Sequence, residues 1–131
     1  KAYLERGLIF LLTSNLSGAI RDFSKAIQHN PNESDAYYGR GFCRQLTRNY
    51  ERAIKDYLES IRIKPEDPRP HNSLGNIYSI LGNIANAFSS YQRAIALSPY
   101  EGTFRASMVR VLYKLNRPQE AFEYEQLLRF D

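Results

Sequence analysis

The sequence predicts an all-α fold, a superhelix of about four helix-turn-helix repeats with about eight antiparallel helices. The first observation behind this prediction is periodicity, because several residues return every 34 positions along the chain. The residues that return are Gly7, Gly41 and Gly75; Ala19, Ala53, Ala87 and Ala121; and Pro31, Pro65 and Pro99. The second observation is that apolar residues within each repeat recur every three or four positions, which is the period of an amphipathic helix.

Eight helices follow from these two periods. We expect them at about 2–13, 18–29, 34–47, 52–63, 68–81, 86–97, 102–115 and 118–129. The prolines that close the first three repeats end their second helices, because the residue before a proline disfavours helical backbone. The linkers are short, so successive helices are antiparallel neighbours in one domain, with repeats at about 1–33, 34–67, 68–101 and 102–131.

Helix ends carry their own signals. Ser34 or Asp35 is expected to cap the third helix, and Pro68 suits the first turn of the fifth. An asparagine falls in the turn inside each of the first three repeats, where this residue type tolerates a left-handed backbone. These asparagines are Asn15, Asn49 and Asn83.

The repeated residues resemble the tetratricopeptide repeat (TPR), a 34-residue helical hairpin with the pattern W-x2-L-G-x2-Y, A-x3-F, A and P. The third repeat carries this pattern nearly intact, as Leu74, Gly75, Tyr78, Ala87, Tyr91, Ala94 and Pro99. In the second repeat Arg44 replaces the usual aromatic residue, and in the degenerate fourth repeat Val109 replaces the glycine and Glu125 the second aromatic. The resemblance implies a scaffold for protein–protein interaction that binds a peptide segment of its partner in a concave groove.

The resemblance also implies which residues face the ligand, since the family uses five positions on the first helix of each repeat. At the matching positions we select as peptide-binding candidates Leu8, Tyr38, Phe42, Arg69, Asn72, Asn76, Arg110, Tyr113 and Lys114. Their character changes from apolar and aromatic to polar and then basic. The expected ligand therefore has an apolar or aromatic anchor and acidic character toward one end, and asparagine amides suit its backbone.

The first repeat leaves an alternative open. Lys1, Leu4, Leu8, Leu11 and Leu12 occupy ligand-facing positions of the family pattern. Leu4, Leu8 and Leu11 suit either an apolar ligand or packing against an upstream repeat or a second copy of the chain.

Two arginines in the first helices are expected to be structural. Arg6 precedes Asp22 by sixteen residues, and Arg40 precedes Asp56 by the same interval. The third and fourth repeats replace both partners together, with Leu74 and Ser90 and with Met108 and Tyr124. An arginine buried between helices without a carboxylate is poorly compensated, so we predict two structural ion pairs, with ligand contact as the alternative.

Other binding classes fit less well. Cochaperone TPR domains clamp a carboxylate with lysine, asparagine and arginine, but the matching positions here hold Leu4, Leu8, Gly39, Arg69 and Ser73. Residues 40–64 contain seven basic side chains against three acidic ones. This stripe would attract an acidic partner, but a net charge of +4 is small for a nucleic-acid-binding protein, so nucleic acid is not an expected ligand.

The sequence contains no catalytic constellation, so we expect no enzyme activity, cofactor or metal. His29 and His71 fall at non-equivalent positions of different repeats, and Cys43 is expected to be a buried hydrophobe. A single cysteine favours a reducing compartment, and we recognise no signal peptide or membrane span. A cytoplasmic protein is therefore expected.

The chain starts at Lys1 and its one methionine is Met108, which indicates a segment of a longer protein. Two alternatives to peptide binding follow. The segment is then the targeting domain of a larger enzyme, or it self-associates into a homo-oligomer through apolar terminal residues. Those residues are Phe122, Leu127, Leu128 and Phe130.

Overall fold

The computed structural model describes residues 2–129, and in the last helix it describes side chains as far as Leu127. These residues form eight α-helices without a strand. The helices are α1 Ala2–Leu12, α2 Leu16–His29, α3 Ser34–Leu46, α4 Tyr50–Ile63, α5 Pro68–Ile80, α6 Ile84–Leu97, α7 Gly102–Lys114 and α8 Pro118–Arg129. The predicted all-α architecture of helix-turn-helix repeats is confirmed. None of the helices in this part of the chain combines the length and apolar character that crossing a bilayer requires.

The chain divides into two compact units, Lys1–Pro65 and Glu66–Asp131, each with two helical hairpins. In the first unit α1 pairs with α2 and α3 with α4, while α3 also contacts α1 and α2. The second unit repeats this arrangement with α5 to α8. The first helices of two successive hairpins are therefore neighbours within each unit.

The repeated glycines let the two helices of a hairpin approach closely. A Cβ atom added to Gly75 would lie 2.5 Å from Tyr91 Cε1, and one added to Gly7 would lie 2.9 Å from the Phe23 ring. Real Cβ atoms do not approach other atoms this closely, so the aromatic ring occupies the space that a side chain would need. The paired 34-residue periods of glycine and aromatic residues thus describe one contact that recurs in the first three repeats.

Each unit has its own hydrophobic core. The first core contains Ala19, Phe23, Ala26, Ala36 and Cys43, and the second contains Ala87, Tyr91, Met108, Val111, Leu112 and Ala121. The expectation for Cys43 is confirmed, because the side chain is fully buried and burial raises the pKa of its thiol to about 11. This thiol is therefore protonated and inert at neutral pH.

The turns inside the repeats differ from expectation. Helices α2, α4 and α6 each begin two residues earlier than predicted, at Leu16, Tyr50 and Ile84. The predicted left-handed backbone is wrong for the three asparagines, which have φ between −86° and −89° and serve as N-caps. The preceding residue takes the left-handed conformation instead: Ser14 at φ 63°, Arg48 at 63° and Gly82 at 81°.

The prediction for the start of α5 is confirmed, and the prediction for the N-cap of α3 is wrong. Pro68 is the first residue of α5, and Asp67 caps the helix by accepting a hydrogen bond from the Arg69 amide at 3.0 Å. For α3 the prediction is wrong, because Glu33 is the N-cap. Ser34 lies inside the helix, where its hydroxyl donates to the Ser60 carbonyl at 3.1 Å and ties α3 to α4.

Candidate peptide-binding site

The structure brings Arg6 and Asp22 together across the α1–α2 hairpin. Arg6 Nε donates to Asp22 Oδ2 at 2.7 Å and Nη2 donates to Oδ1 at 2.8 Å, so the contact is bidentate. Asp22 is fully buried, whereas about half of the Arg6 side chain is exposed. The hydrogen bonds from Arg6 hold the pKa of the Asp22 carboxyl below its usual value and keep it ionised.

Arg40 and Asp56 make the equivalent contact between α3 and α4, with a third partner that the sequence did not reveal. Arg40 donates to both oxygens of Asp56 at 3.0 and 2.8 Å, and Arg44 Nη1 donates to Oδ2 at 2.8 Å. Arg40 also reaches Ser24 Oγ on α2 at 3.1 Å, which links the two hairpins of the unit. Two arginines of the basic stripe therefore serve the fold, and burial lowers the pKa of Arg44.

A cavity of about 430 Å³ lies in the second unit, between the first helices of its two hairpins. We call it the α5–α7 cavity. Its lining residues come from α5, α6 and α7: Asn76, Ser79, Ile80, Tyr91, Ser107, Arg110, Val111 and Lys114. Three of the residues predicted to bind peptide, Asn76, Arg110 and Lys114, meet here.

A hydrogen-bonded network forms one wall of the α5–α7 cavity. The hydroxyl of the buried Tyr91 donates to Asn76 Oδ1 at 2.5 Å, and Arg110 Nη2 donates to Ser107 Oγ at 3.3 Å. Burial raises the pKa of Tyr91, so its hydroxyl keeps its proton at neutral pH and remains a donor. Since the side-chain carbonyl of Asn76 accepts the hydrogen bond from Tyr91, the group that Asn76 can still offer to a ligand is its NH₂ donor.

The charge of the α5–α7 cavity is positive. Arg110 and Lys114 are four residues apart on α7, hence on one face of that helix, and no lining residue is acidic. Neither side chain forms a salt bridge with another residue in the described part of the chain. Two cations with several neutral donors can therefore receive an anionic group.

The other predicted residues of the second unit lie outside the lining of this cavity. Tyr113 is half exposed, and its hydroxyl bonds to Glu125 Oε1 at 2.7 Å. The Arg69 guanidinium contacts Asp67 Oδ2 at 2.8 Å, beside the cap of α5. Asn72 is partly buried. Sequence reasoning missed Tyr91 and Ser107 as site residues. Tyr91 occupies the aromatic position of the repeat pattern, and Ser107 is not among the five ligand-facing positions of its repeat.

In the first unit the positions equivalent to the cavity lining are apolar. Leu8 and Leu46 are about half exposed and Leu12 is 85% exposed, whereas Phe42 is partly buried. We call these four residues the apolar face. Tyr38, beside it on α3, packs against Tyr57 with ring centroids 5.7 Å apart.

The leucine side chains of α1 differ in burial. Leu4 and Leu11 are partly buried and pack against the core of the first unit, whereas Leu8 is exposed. The packing of Leu4 and Leu11 is thus accounted for within their own unit. Lys1, the other candidate on this helix, lies outside the described residues.

The histidines and acidic residues do not assemble into a second site. His29 stacks on Tyr3 with ring centroids 5.2 Å apart, and His71 is buried. Within residues 2–129 no group of three histidine, cysteine, aspartate or glutamate side chains is arranged to hold a metal ion.

Three models of known protein families match this chain, and together they cover residues 23–101. A model described as TPR repeat matches residues 49–82, and two models described as tetratricopeptide repeat match residues 23–55 and 68–101. Together they span the second and third repeats and part of the first. A comparison with curated protein sequences finds no match.

Solved structures share the fold at low sequence identity. A crystal structure of MamA has a TM-score of 0.91 and 19% identity, covering 96% of this chain and 74% of that chain. A structure of MamA from Desulfovibrio magneticus RS-1, from residue 41 to the end, has a TM-score of 0.87 and 19% identity, with coverages of 97% and 72%. At this identity the likeness concerns the helical repeat fold alone.

Proposed function

The chain belongs to the tetratricopeptide repeat family and is a protein-interaction scaffold; we propose that it binds a peptide segment of a partner protein. In this proposal the first helices of the hairpins provide the ligand contacts within each unit, α1 and α3 in the first unit and α5 and α7 in the second. An acidic part of the peptide occupies the α5–α7 cavity, and an apolar or aromatic side chain binds the apolar face.

The observation that carries this proposal is the composition of the α5–α7 cavity. It presents Arg110, Lys114 and the Asn76 amide without a lining carboxylate. A hydrogen bond that involves a charged group contributes about 1.5–3 kcal/mol, roughly twice a neutral one, so an acidic side chain gains most from this site. The amide of Asn76 adds direction, because it suits a carbonyl of the same peptide.

The apolar face supplies the second contact. Leu8, Leu12 and Leu46 expose apolar surface that an apolar side chain of the ligand would cover. Burying one large apolar or aromatic side chain contributes about 1.5–3 kcal/mol. An interface of this kind typically gains most of its affinity from a few such anchors.

Selection from a random peptide library displayed on phage tests the proposal. We expect wild-type protein to enrich peptides that combine aspartate or glutamate with an aromatic or large aliphatic residue. Arg110→Glu should remove the acidic preference and Phe42→Ala should weaken the apolar one. Identical enriched sequences from wild type and Arg110→Glu would contradict the assignment of the α5–α7 cavity.

Self-association is a second candidate function, favoured by the exposed apolar residues of α8. Phe122 is 50% exposed and Leu127 is 48% exposed. Leu128, as a side chain, and Phe130, the other terminal residues considered, lie outside what the structure describes. Light scattering over a range of concentrations tests this candidate: assembly predicts a mass that rises with concentration and that Phe122→Glu returns to the monomer value. A strict monomer at all concentrations would exclude it.

We also propose a cytoplasmic location, supported by the buried free thiol of Cys43. Fluorescence microscopy of the tagged full-length protein tests this location. A signal confined to an extracytoplasmic compartment would contradict it.

A further inference from the structure

We propose that the α5–α7 cavity recognises a phosphorylated side chain of the partner peptide, an inference that rests on the proposed function and specifies its anionic group. The alternative occupant with the same sign of charge is an aspartate or glutamate side chain. Charge and donor number both favour the phosphate group.

The charge of the cavity matches a dianion better than a monoanion. Arg110 and Lys114 bring two positive charges to one face of α7, and no carboxylate lines the space in front of them. Like charges four residues apart on a helix repel each other, and a bound anion relieves this repulsion. A phosphomonoester carries a charge of about −1.5 to −2 at pH 7, whereas a carboxylate carries one charge, so the phosphate compensates both cations.

The donors of the cavity also exceed what a carboxylate needs. Arg110 uses Nη2 on Ser107 and keeps other N–H groups, while Lys114 has three donors and Asn76 offers its NH₂ group. The hydroxyl of Ser79 lies on the same lining. A phosphate group presents three strong acceptor oxygens, which matches donors that come from two facing helices.

The network behind the cavity holds two of these donors, Asn76 and Arg110, in place. The hydroxyl of Tyr91, a residue that is 2% exposed, donates a hydrogen bond to the Asn76 side chain, and Ser107 Oγ accepts one from the Arg110 guanidinium. Groups that are fixed before binding lose less conformational entropy when the ligand arrives. The volume of about 430 Å³ suits a whole modified side chain, since small-ligand pockets occupy about 300–1,000 Å³.

The first unit provides an internal comparison. At the positions equivalent to Arg110 and Lys114, α3 carries Phe42 and Leu46. The same repeat geometry therefore presents an apolar surface in one unit and a cationic cavity in the other. The cationic character belongs to the side chains of the second unit rather than to the repeat pattern.

An NMR titration of the ¹⁵N-labelled full chain tests the inference, with ligands added at constant ionic strength. The probes are O-phospho-L-serine, L-glutamate, L-serine and inorganic phosphate. We expect O-phosphoserine to give saturable shifts of the Asn76 side-chain amide and of backbone amides around Ser107. Its Kd should be about tenfold lower than that of glutamate, given one additional charge-assisted hydrogen bond. Inorganic phosphate should bind more weakly than O-phosphoserine, and serine should give no saturable shift.

Matched variants locate the binding. Arg110→Gln and Lys114→Gln should each weaken O-phosphoserine binding about tenfold by removing one cation from the cavity. Arg93→Gln removes an exposed arginine of α6 that does not line the cavity, and it should leave the Kd unchanged. Equal losses in all three variants would reveal a general charge effect and overturn the inference.

The remaining outcomes separate this inference from the proposed function. Glutamate binding as tightly as O-phosphoserine would overturn the phosphate assignment and leave the acidic-peptide function standing. Inorganic phosphate binding at least as tightly as O-phosphoserine would overturn the assignment to a modified side chain. If no anion binds while library-selected peptides still depend on Arg110, the inference fails alone, and if those peptides are also indifferent to Arg110, both fail.

Discussion

At the residue scale, the close approach of paired helices depends on a glycine that faces an aromatic ring. Gly75 and Gly41 make this contact at different distances. An added Cβ would lie 2.5 Å from Tyr91 in the first case and 3.0 Å from Tyr57 in the second. The same substitution should therefore have different consequences in the two repeats.

We expect Gly75→Ala to lower the free energy of unfolding by about 1–2 kcal/mol, because overpacking outweighs the gain in helix propensity. Gly41→Ala should change it by less than about 1 kcal/mol, because a shift of a few tenths of an ångström relieves its contact. Urea denaturation measures both values. A smaller loss in Gly75→Ala than in Gly41→Ala would contradict this description of the packing.

The carboxylate of Asp56 neutralises two arginines that are each 17% exposed. Asp56→Ala should therefore lower the free energy of unfolding by about 2–4 kcal/mol, somewhat less than for a fully buried pair, since it leaves two partly buried cations uncompensated. Glu59→Ala removes an exposed ion pair with Arg62 on the same helix and should have a much smaller effect. Thermal denaturation followed by circular dichroism compares the two variants, and similar losses would show that Asp56 has no special role.

The lowered pKa of Asp22 predicts a pH dependence of stability. A carboxyl whose pKa is lower in the folded state stabilises the protein above its unfolded pKa of about 3.9 and loses this effect as the pH falls. The stability difference between wild type and Asp22→Asn should be constant above about pH 5 and shrink below about pH 4. Urea denaturation at several pH values measures it, with the exposed Glu123→Gln as control. A difference that grows on acidification would contradict the ion pair.

Part of this residue-level structure was readable from the sequence. Arg6 with Asp22 and Arg40 with Asp56 stand out because both partners change together in the other repeats. The contact of Arg44 with Asp56 was not readable, because the position normally holds an aromatic residue and the carboxylate already had a partner. A second arginine on one carboxylate is a tertiary feature that spacing does not reveal.

At the element scale, the helices and their order follow from the 34-residue and three-to-four-residue periods. The starts of α2, α4 and α6 were harder to predict from the sequence, because the residue with left-handed backbone and the N-cap residue are adjacent in a tight turn. Asparagine is favoured in both roles, and the structure assigns it to the cap. The preceding Ser14, Arg48 and Gly82 have no common side-chain chemistry to mark them.

The caps differ in a way that gives a testable ranking. The Asn15 side chain accepts a hydrogen bond from the Gly18 amide at 3.1 Å, whereas Asn49 makes no such bond. Asn15→Ala should therefore cost about 1 kcal/mol of unfolding free energy, and Asn49→Ala should cost less. Hydrogen exchange at the start of α2 and of α4 measures the local effect. Equal loss of protection in the two variants would contradict the capping role of Asn15.

At the scale of the whole molecule, the sequence predicts a repeat protein because the first three repeats share one packing pattern and the fourth keeps part of it. The candidate site is not part of that pattern. Asn76, Arg110 and Lys114 could be predicted from the positions that the family uses for ligands. Tyr91 and Ser107 were found only in the structure, where they line the same cavity. The sequence also does not show which arginines form ion pairs. Arg44 contacts Asp56 and Arg69 contacts Asp67, although both have the same formal charge as Arg110.

A fluorescence anisotropy titration of a library-selected acidic peptide shows whether the α5–α7 cavity binds it. Arg110→Glu and Arg93→Glu change the net charge equally, but only Arg110 lines the α5–α7 cavity. We expect Arg110→Glu to raise the Kd at least about tenfold and Arg93→Glu to raise it less than about twofold. Equal effects of the two variants, or unchanged affinity in Arg110→Glu, would contradict peptide binding in this cavity.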